Sequence, residues 1–325
     1  MRILFIGGTG EISFACVEAA KRAGHDVTLF NRGQRWDARQ LGVHHLSGDF
    51  GDDTAYAKLS AHHFDVVCQF LVYDPGQADR DIQVFSGHCG QYIFISTASA
   101  YQKPCPTPVI AEDTPLDNPF WAYSRNKAAC EARLLGAHEQ GDLRVTIVRP
   151  SHTYRTRLPS TVIPGDHLAW RMMQGKPIII HGDGESVWTL THADDFARAF
   201  LHICGNQQAL GECVHITDRV GHTWNRIIRT VAETIGVTAD IRHVLSKTLA
   251  GYEPAWLGPL LGDKSNTMIF DTQKIEKLSG DWRCEVTLEQ GIARAWSFAA
   301  ARLKNDYRPD PAVDALIDQI IFEQK

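Results

Sequence analysis

The chain has 325 residues, 44% of them hydrophobic and 22% charged, with a formal net charge of -5. That is ordinary globular composition, long enough for one large two-lobed domain or two domains. The acidic balance lacks the basic footprint of a nucleic-acid binder, and no apolar run approaches the roughly 20 residues that span a bilayer.

Residues 2–6 form an apolar run directly after Met1, so a strand is expected at once and a cleavable signal is not. A helical pattern follows from about 11 to 23 and is closed by Gly24. Further strands are expected at Val27–Phe30, at Val43–Leu46 (weaker), at Phe64–Leu71, at Gln91–Ser96 and at Leu143–Val148. Helical windows lie at roughly 52–62, 75–88 and 120–140. Nearly all-apolar strands alternating with helices predict an α/β chain with a doubly wound parallel sheet covered on both faces, a Rossmann arrangement.

Composition changes after Pro150. The pattern then predicts a helix at 166–174, a strand at Pro177–Ile180, a helix at 192–204 and a sheet strand at Cys213–Ile216. Small helices and short strands are expected from about 222 to Ala301. The tail 312–323 carries an apolar stripe at helical spacing, a docking face for the core or for a partner subunit. The expected division is a dinucleotide-binding domain of 1–163 plus 186–218, and a smaller α+β substrate lobe of 164–185 plus 219–325.

Gly7-Gly8-Thr9-Gly10 ends the first strand and opens a helix, the setting in which glycines cradle a pyrophosphate at a positive helix end. Gly7, Thr9, Gly10, Glu11 and Ile12 are the expected cradle, with Ser13 at the position that usually holds a third glycine. At the tip of the second strand an acid normally accepts from the adenosine ribose. Here Asn31 stands instead, followed by Arg32 and Arg35. Guanidiniums suit a 2′-phosphate, which favours NADP over NAD; as solvated turn residues they leave NAD bound through Asn31. Asp49 and Phe50, after the third strand, are candidates to meet the adenine, although an aspartate there also suits a cap for the helix near Asp52.

Tyr123 and Lys127 are four apart on a helix and share a face. A phenol is a poor base at neutral pH unless a nearby ammonium and an oxidised nicotinamide favour the phenolate. Lys127 is also placed to hold the cofactor ribose. The fifth strand ends in Ser96, Thr97 and Ser99, hydroxyls at the carboxyl edge where ligands of such sheets bind.

These residues resemble the extended short-chain dehydrogenase/reductase superfamily, and within it the NAD-dependent epimerase/dehydratase family. Ile6–Gly10 is similar to the family's first turn and Phe94–Tyr101 to its catalytic hydroxyl strand. By spacing to Tyr101, Thr97 matches the catalytic Ser/Thr, with Ser96 the alternative. The resemblance implies that Tyr123 and Lys127 are the catalytic pair, and that Pro150 and Ser151 border the nicotinamide. It departs at Asn31-Arg32, at Ser13 and at Phe70-Leu71, a bulkier wall beside the adenosine than the family has. It also departs at Trp188-Thr189-Leu190, where an arginine usually grips a sugar nucleotide. Arg157 or Arg171 then stands in for that arginine, or the substrate carries no diphosphate and Trp188 stacks on it. Packing beneath the second lobe is an equal reading of Trp188. The branch with the chloroplast stem-loop-binding proteins is also similar, and it brings a non-catalytic, RNA-binding alternative.

His152 and Tyr154 are expected to border the crevice as substrate contacts or to pack structurally, as are Phe120 and Trp121 before the catalytic helix. His192, Asp194 and Asp195 read as a helix cap. The fifteen histidines and eight scattered cysteines lack ligand spacing, so no metal is expected, and the thiols read as reduced in a cytoplasmic protein. The expected activity is hydride transfer on a sugar, sugar nucleotide or related hydroxy/keto compound. Epimerase and NADP-dependent carbonyl reductase both remain open. A homodimer is implied by the resemblance alone.

Overall fold

The computed structural model describes residues 1–34 and 41–324. Seven parallel strands form the central sheet, in the order Cys213–Ile216, Val145–Pro150, Cys89–Ile95, Phe64–Gln69, Arg2–Ile6, Asp26–Asn31 and His44–Ser47. Numbered along the chain, this is the doubly wound order 3-2-1-4-5-6 extended by one strand. The order reverses between Arg2–Ile6 and Phe64–Gln69, and the crevice opens at their carboxyl ends.

Side chains of the first strand alternate between two cores. Ile3 and Phe5 join the cluster under the Glu11–Arg22 and Ala193–Ile203 helices. Leu4 and Ile6 join the one that includes Cys130 and Leu134 of the Ala122–Glu139 helix. All four are fully buried, which is why the strand reads as an unbroken apolar run. The Phe64 strand stops at Gln69, two residues short of expectation. The Gln69 side chain takes the Leu71 amide (2.7 Å) and turns the backbone out of the sheet.

The second lobe is more helical than its sequence suggests. Two long helices, Trp224–Ile235 and Leu288–Asn305, stand where short elements are expected. Each opens on a threonine cap, Thr223 and Thr287. Both pack into one cluster with Trp188 and Leu190 of the Val187–His192 strand, which pairs with His152–Tyr154 and Gly221–Thr223. The C-terminal helix Pro311–Glu323 docks on its own chain, with Ile317 and Ile320 fully buried against Ile179, Leu249 and Leu260. Among the described residues no helix is long and apolar enough to cross a membrane.

Candidate active site

A groove of about 860 Å³ runs along the carboxyl edge of the sheet at the reversal of strand order. Its floor is the glycine turn. Gly7 and Gly8 adopt φ of +104° and +83°, a region L side chains rarely enter. A Cβ on Gly8 would sit 2.7 Å from Leu29. Ser13 does more than fill the third glycine position: its hydroxyl accepts from the Gly10 amide (2.9 Å) at the head of the Glu11–Arg22 helix. This backbone cradle at a helix N-terminus fits the pyrophosphate of a dinucleotide.

Gly7, Thr9, Gly10, Glu11, Ile12, Asn31, Arg32, Asp49, Phe50, Phe70, Leu71, Pro150 and Ser151 all line this groove, as the sequence anticipates. Arg35 lies outside the described residues. Two of these side chains are already engaged. The Asn31 amide donates to the Gly7 carbonyl (2.8 Å) and accepts from the Gly33 amide (2.8 Å), so it ties two turns together. The Glu11 carboxylate accepts from the backbone amides of Arg155, Thr156 and Arg157 and from the Thr156 hydroxyl. Burial opposes its ionisation, yet the Thr156 hydroxyl and these amides outweigh burial and hold its carboxyl below the usual range. Asp52, not Asp49, caps the Asp53–Ala57 helix, leaving Asp49 facing Arg32 at 4.0 Å on the groove edge.

The other end of the groove holds Ser96, Thr97, Tyr123 and Lys127. The Thr97 hydroxyl lies near the Tyr123 phenol. Thr97 continues into a hydroxyl chain, Thr97–Ser99 at 3.0 Å and Ser99–Ser124 at 2.7 Å. Ser96 Oγ is buried in the groove wall and has no partner. Burial, then Tyr73, raises the Tyr123 phenol well above its ordinary value, and the nearby Thr97 hydroxyl only partly offsets this. The Lys127 ammonium donates to the carbonyls of Val72 (2.7 Å) and Ile95 (2.7 Å) and lies over the Phe94 ring.

Burial lowers Lys127 to about 7. A lysine in an unfolded chain titrates near ~10.4, so below about pH 7 the folded protein bears the full cost of a buried charge. As pH rises from about 7 the folded form sheds its proton before the unfolded one does, and stability increases. Wild-type protein without cofactor should therefore gain on Lys127→Met by up to about 1.4 kcal/mol per pH unit above neutrality, read from urea midpoints. Parallel pH profiles for the two proteins would refute the desolvated ammonium.

A smaller cavity of about 260 Å³ adjoins the groove and shares Thr97, Tyr123, Pro150, Ser151 and His152 with it. Ser99 and Trp188 line this second space. Tyr154 does not: it is buried in the second-lobe core, edge-on to His192. Arg157 is exposed and lines neither cavity. Arg171 is unavailable as well, fully buried and paired with Asp314 and Asp318 of the C-terminal helix. His152 is kept neutral, lowered to about 3 by burial and then by the nearby Lys264 cation. His192 caps its helix by accepting from the Asp194 amide.

Trp121 lines the smaller cavity, whereas Tyr73, Asp263 and Lys264 are among the lining residues that the sequence reading did not single out. Asp263 and Lys264 sit on a π-helical turn, Leu260–Lys264, that no periodicity announces. Asn118 brings the turn to the site by donating to both the Ser99 carbonyl (2.7 Å) and the Gly262 carbonyl (2.6 Å). Just before the turn, Gly258 lies so close to the Trp121 ring that any Cβ there would collide with it.

The model of the NAD dependent epimerase/dehydratase family matches residues 3–217. The chain belongs to this family. It is thereby an NAD(P)-dependent enzyme of the short-chain dehydrogenase/reductase type, with a nicotinamide cofactor. It is 25% identical over 239 residues to 2'-dehydrokanamycin reductase of Streptomyces kanamyceticus, covering 73% of this chain and 67% of that one. It is 29% identical over 250 residues to the chloroplast stem-loop binding protein of 41 kDa b of Arabidopsis thaliana, covering 72% and 63%. The chain thus spans about two thirds of the length of these curated relatives. The structure of a UDP-glucose 4-epimerase from Thermotoga maritima with UDP-glucose superposes with a TM-score of 0.76 at 22% identity, covering 93% of this chain and 100% of that one. That likeness shows the family fold.

Proposed function

We propose that this family member reduces a carbonyl group on a sugar-like small molecule, with Tyr123 as proton donor. The observation that carries this reading is the placement of Tyr123 and Thr97 together where the two cavities meet. A phenol held above its ordinary value stays protonated at neutral pH, so it is suited to give a proton to a developing alkoxide. Thr97 orients the reacting oxygen, and Ser96 is the further hydroxyl within the groove wall. Lys127, Pro150 and Ser151 hold the nicotinamide end, and the glycine turn holds the pyrophosphate. The nicotinamide, when bound, supplies the hydride. The likeness to 2'-dehydrokanamycin reductase supports a reductive direction on a sugar compound.

Purified protein mixed with NADPH or NADH and a panel of keto sugars tests the proposal by loss of nicotinamide absorbance. Tightly retained NAD(H) and interconversion of sugar epimers without net cofactor turnover would replace the reductase by an epimerase.

NADP is the favoured cofactor in this proposal. No carboxylate ends the second strand, and Arg32 stands exposed at the groove edge with Asp49 as a loose partner at 4.0 Å. Arg32→Ala should weaken NADPH binding roughly tenfold through a lost charge-assisted contact while barely changing NADH. Equal losses in a fluorescence titration would remove the 2′-phosphate argument.

A further inference from the structure

We propose that the smaller cavity takes a single sugar ring carrying no nucleotide, and that Asp263 and Lys264 recognise two of its hydroxyls. This inference rests on the reading of the groove as a nicotinamide site and adds the substrate class.

Size is the first argument. At about 260 Å³ the cavity falls below the roughly 300–1,000 Å³ that drug-sized ligands occupy. It borders the Thr97–Tyr123 pair directly, so whatever fills it lies beside the proton donor. One ring suits that space. A sugar joined to a diphosphate and a nucleoside would need a continuation for the rest of the molecule.

The chemistry of the wall is the second argument. Asp263 Oδ2 accepts from Lys264 Nζ at 3.2 Å, and both side chains are only 10% exposed. Asp263 Oδ1 is buried with no partner. Trp188 Nε1 is a buried donor with no partner. Buried polar groups almost always find partners, and those left over at a cavity wall fit the hydroxyls of a ligand. The unpartnered carboxylate oxygen of Asp263 is an acceptor suited to a ligand hydroxyl. Among the described residues no arginine lines this cavity. Trp121 and Trp188 also line this cavity and give it aromatic wall against which a sugar ring's C–H groups can pack. The acceptor of Asp263 beside the donor of Lys264 matches two neighbouring hydroxyls on one ring.

The test uses full-length protein saturated with NADP. A panel of methyl hexopyranosides, and separately UDP-glucose, is titrated while tryptophan fluorescence is followed. At least one hexoside should quench the signal, and UDP-glucose should bind no tighter than the best hexoside. Asp263→Asn and Lys264→Met should each weaken that hexoside about tenfold or more, the loss expected for a hydrogen bond to a charged group, with NADP affinity unchanged. Unchanged NADP affinity also shows that each variant is folded. If one variant fails to fold, the other and the wild-type comparison decide.

The proposal falls if no hexoside binds, if UDP-glucose binds tenfold tighter than any hexoside, or if neither folded variant weakens binding. Failure of the parent reading looks different: hexosides would then bind in an Asp263-dependent way while no keto sugar is reduced in a Tyr123-dependent way. Tyr123-dependent turnover of a compound indifferent to both variants would instead leave the reductase standing and remove this subsite.

Discussion

Tyr123→Phe should lower kcat by about 10²–10⁴-fold, the usual contribution of a positioned proton donor, with little change in cofactor affinity. The ring remains, so its contacts with Trp121 (4.9 Å between centroids) and Tyr73 (6.3 Å) survive and the cavity wall keeps its shape. Only the hydroxyl near Thr97 is lost. Because the phenol is raised by burial, wild-type reduction should run on a plateau through neutral pH and decline only in strongly alkaline solution. A fall in kcat below twofold for the variant, measured on any substrate the wild type turns over, would show that the proton comes from elsewhere.

Arg149→Met should destabilise the protein by about 3–5 kcal/mol, because it strands the Glu131 carboxylate in the interior. Glu131 is 1% exposed and accepts from Arg149 Nε (3.1 Å) and Nη2 (2.6 Å). The same guanidinium donates to the Tyr101 hydroxyl (2.8 Å) and to the Glu112 carbonyl (2.7 Å). It therefore joins three pieces of the site: the helix of Tyr123 and Lys127, the segment after Thr97, and the strand that ends in Pro150. Glu131→Gln with Arg149→Met should recover part of the loss, since the second change removes the orphaned charge. Urea unfolding of the single and double variants measures this. A single variant within about 1 kcal/mol of wild type would show that the pair does not hold these elements together.

The strand series and the glycine turn were legible because each rests on local rules. Residues such as Ile3 through Ile6 are apolar without interruption because helices cover both faces of the sheet. The turn needs glycine where φ is positive and where a Cβ would meet Leu29. Tyr123 and Lys127 could be paired by helical spacing alone, and the structure brings both to the groove. Spacing could not tell where the ammonium points. Lys127 reaches past the phenol to two carbonyls at the sheet edge, and that depends on where Val72 and Ile95 lie in space.

Tyr154 and Trp188 show the same limit from opposite sides. Both are aromatic, and both lie on short strands outside the seven-stranded sheet that the pattern did not reveal. One packs entirely into the core and the other borders the smaller cavity. Nothing in their flanking residues separates the two outcomes. Arg171 was a plausible anion ligand until the C-terminal helix, well over a hundred residues away, supplied Asp314 and Asp318.

By itself, the sequence determined the doubly wound sheet, the glycine turn and the helical pairing of Tyr123 with Lys127, since hydrophobic period, positive φ and helical pitch act over a few neighbouring residues. Tertiary structure alone decided the polar surroundings of the reacting position. Asp263 and Lys264 arrive there on a π-helical turn held by Asn118, and His152 is kept neutral by burial beside Lys264. Burial and Coulomb interaction depend on distance through space, and chain order carries no record of that distance.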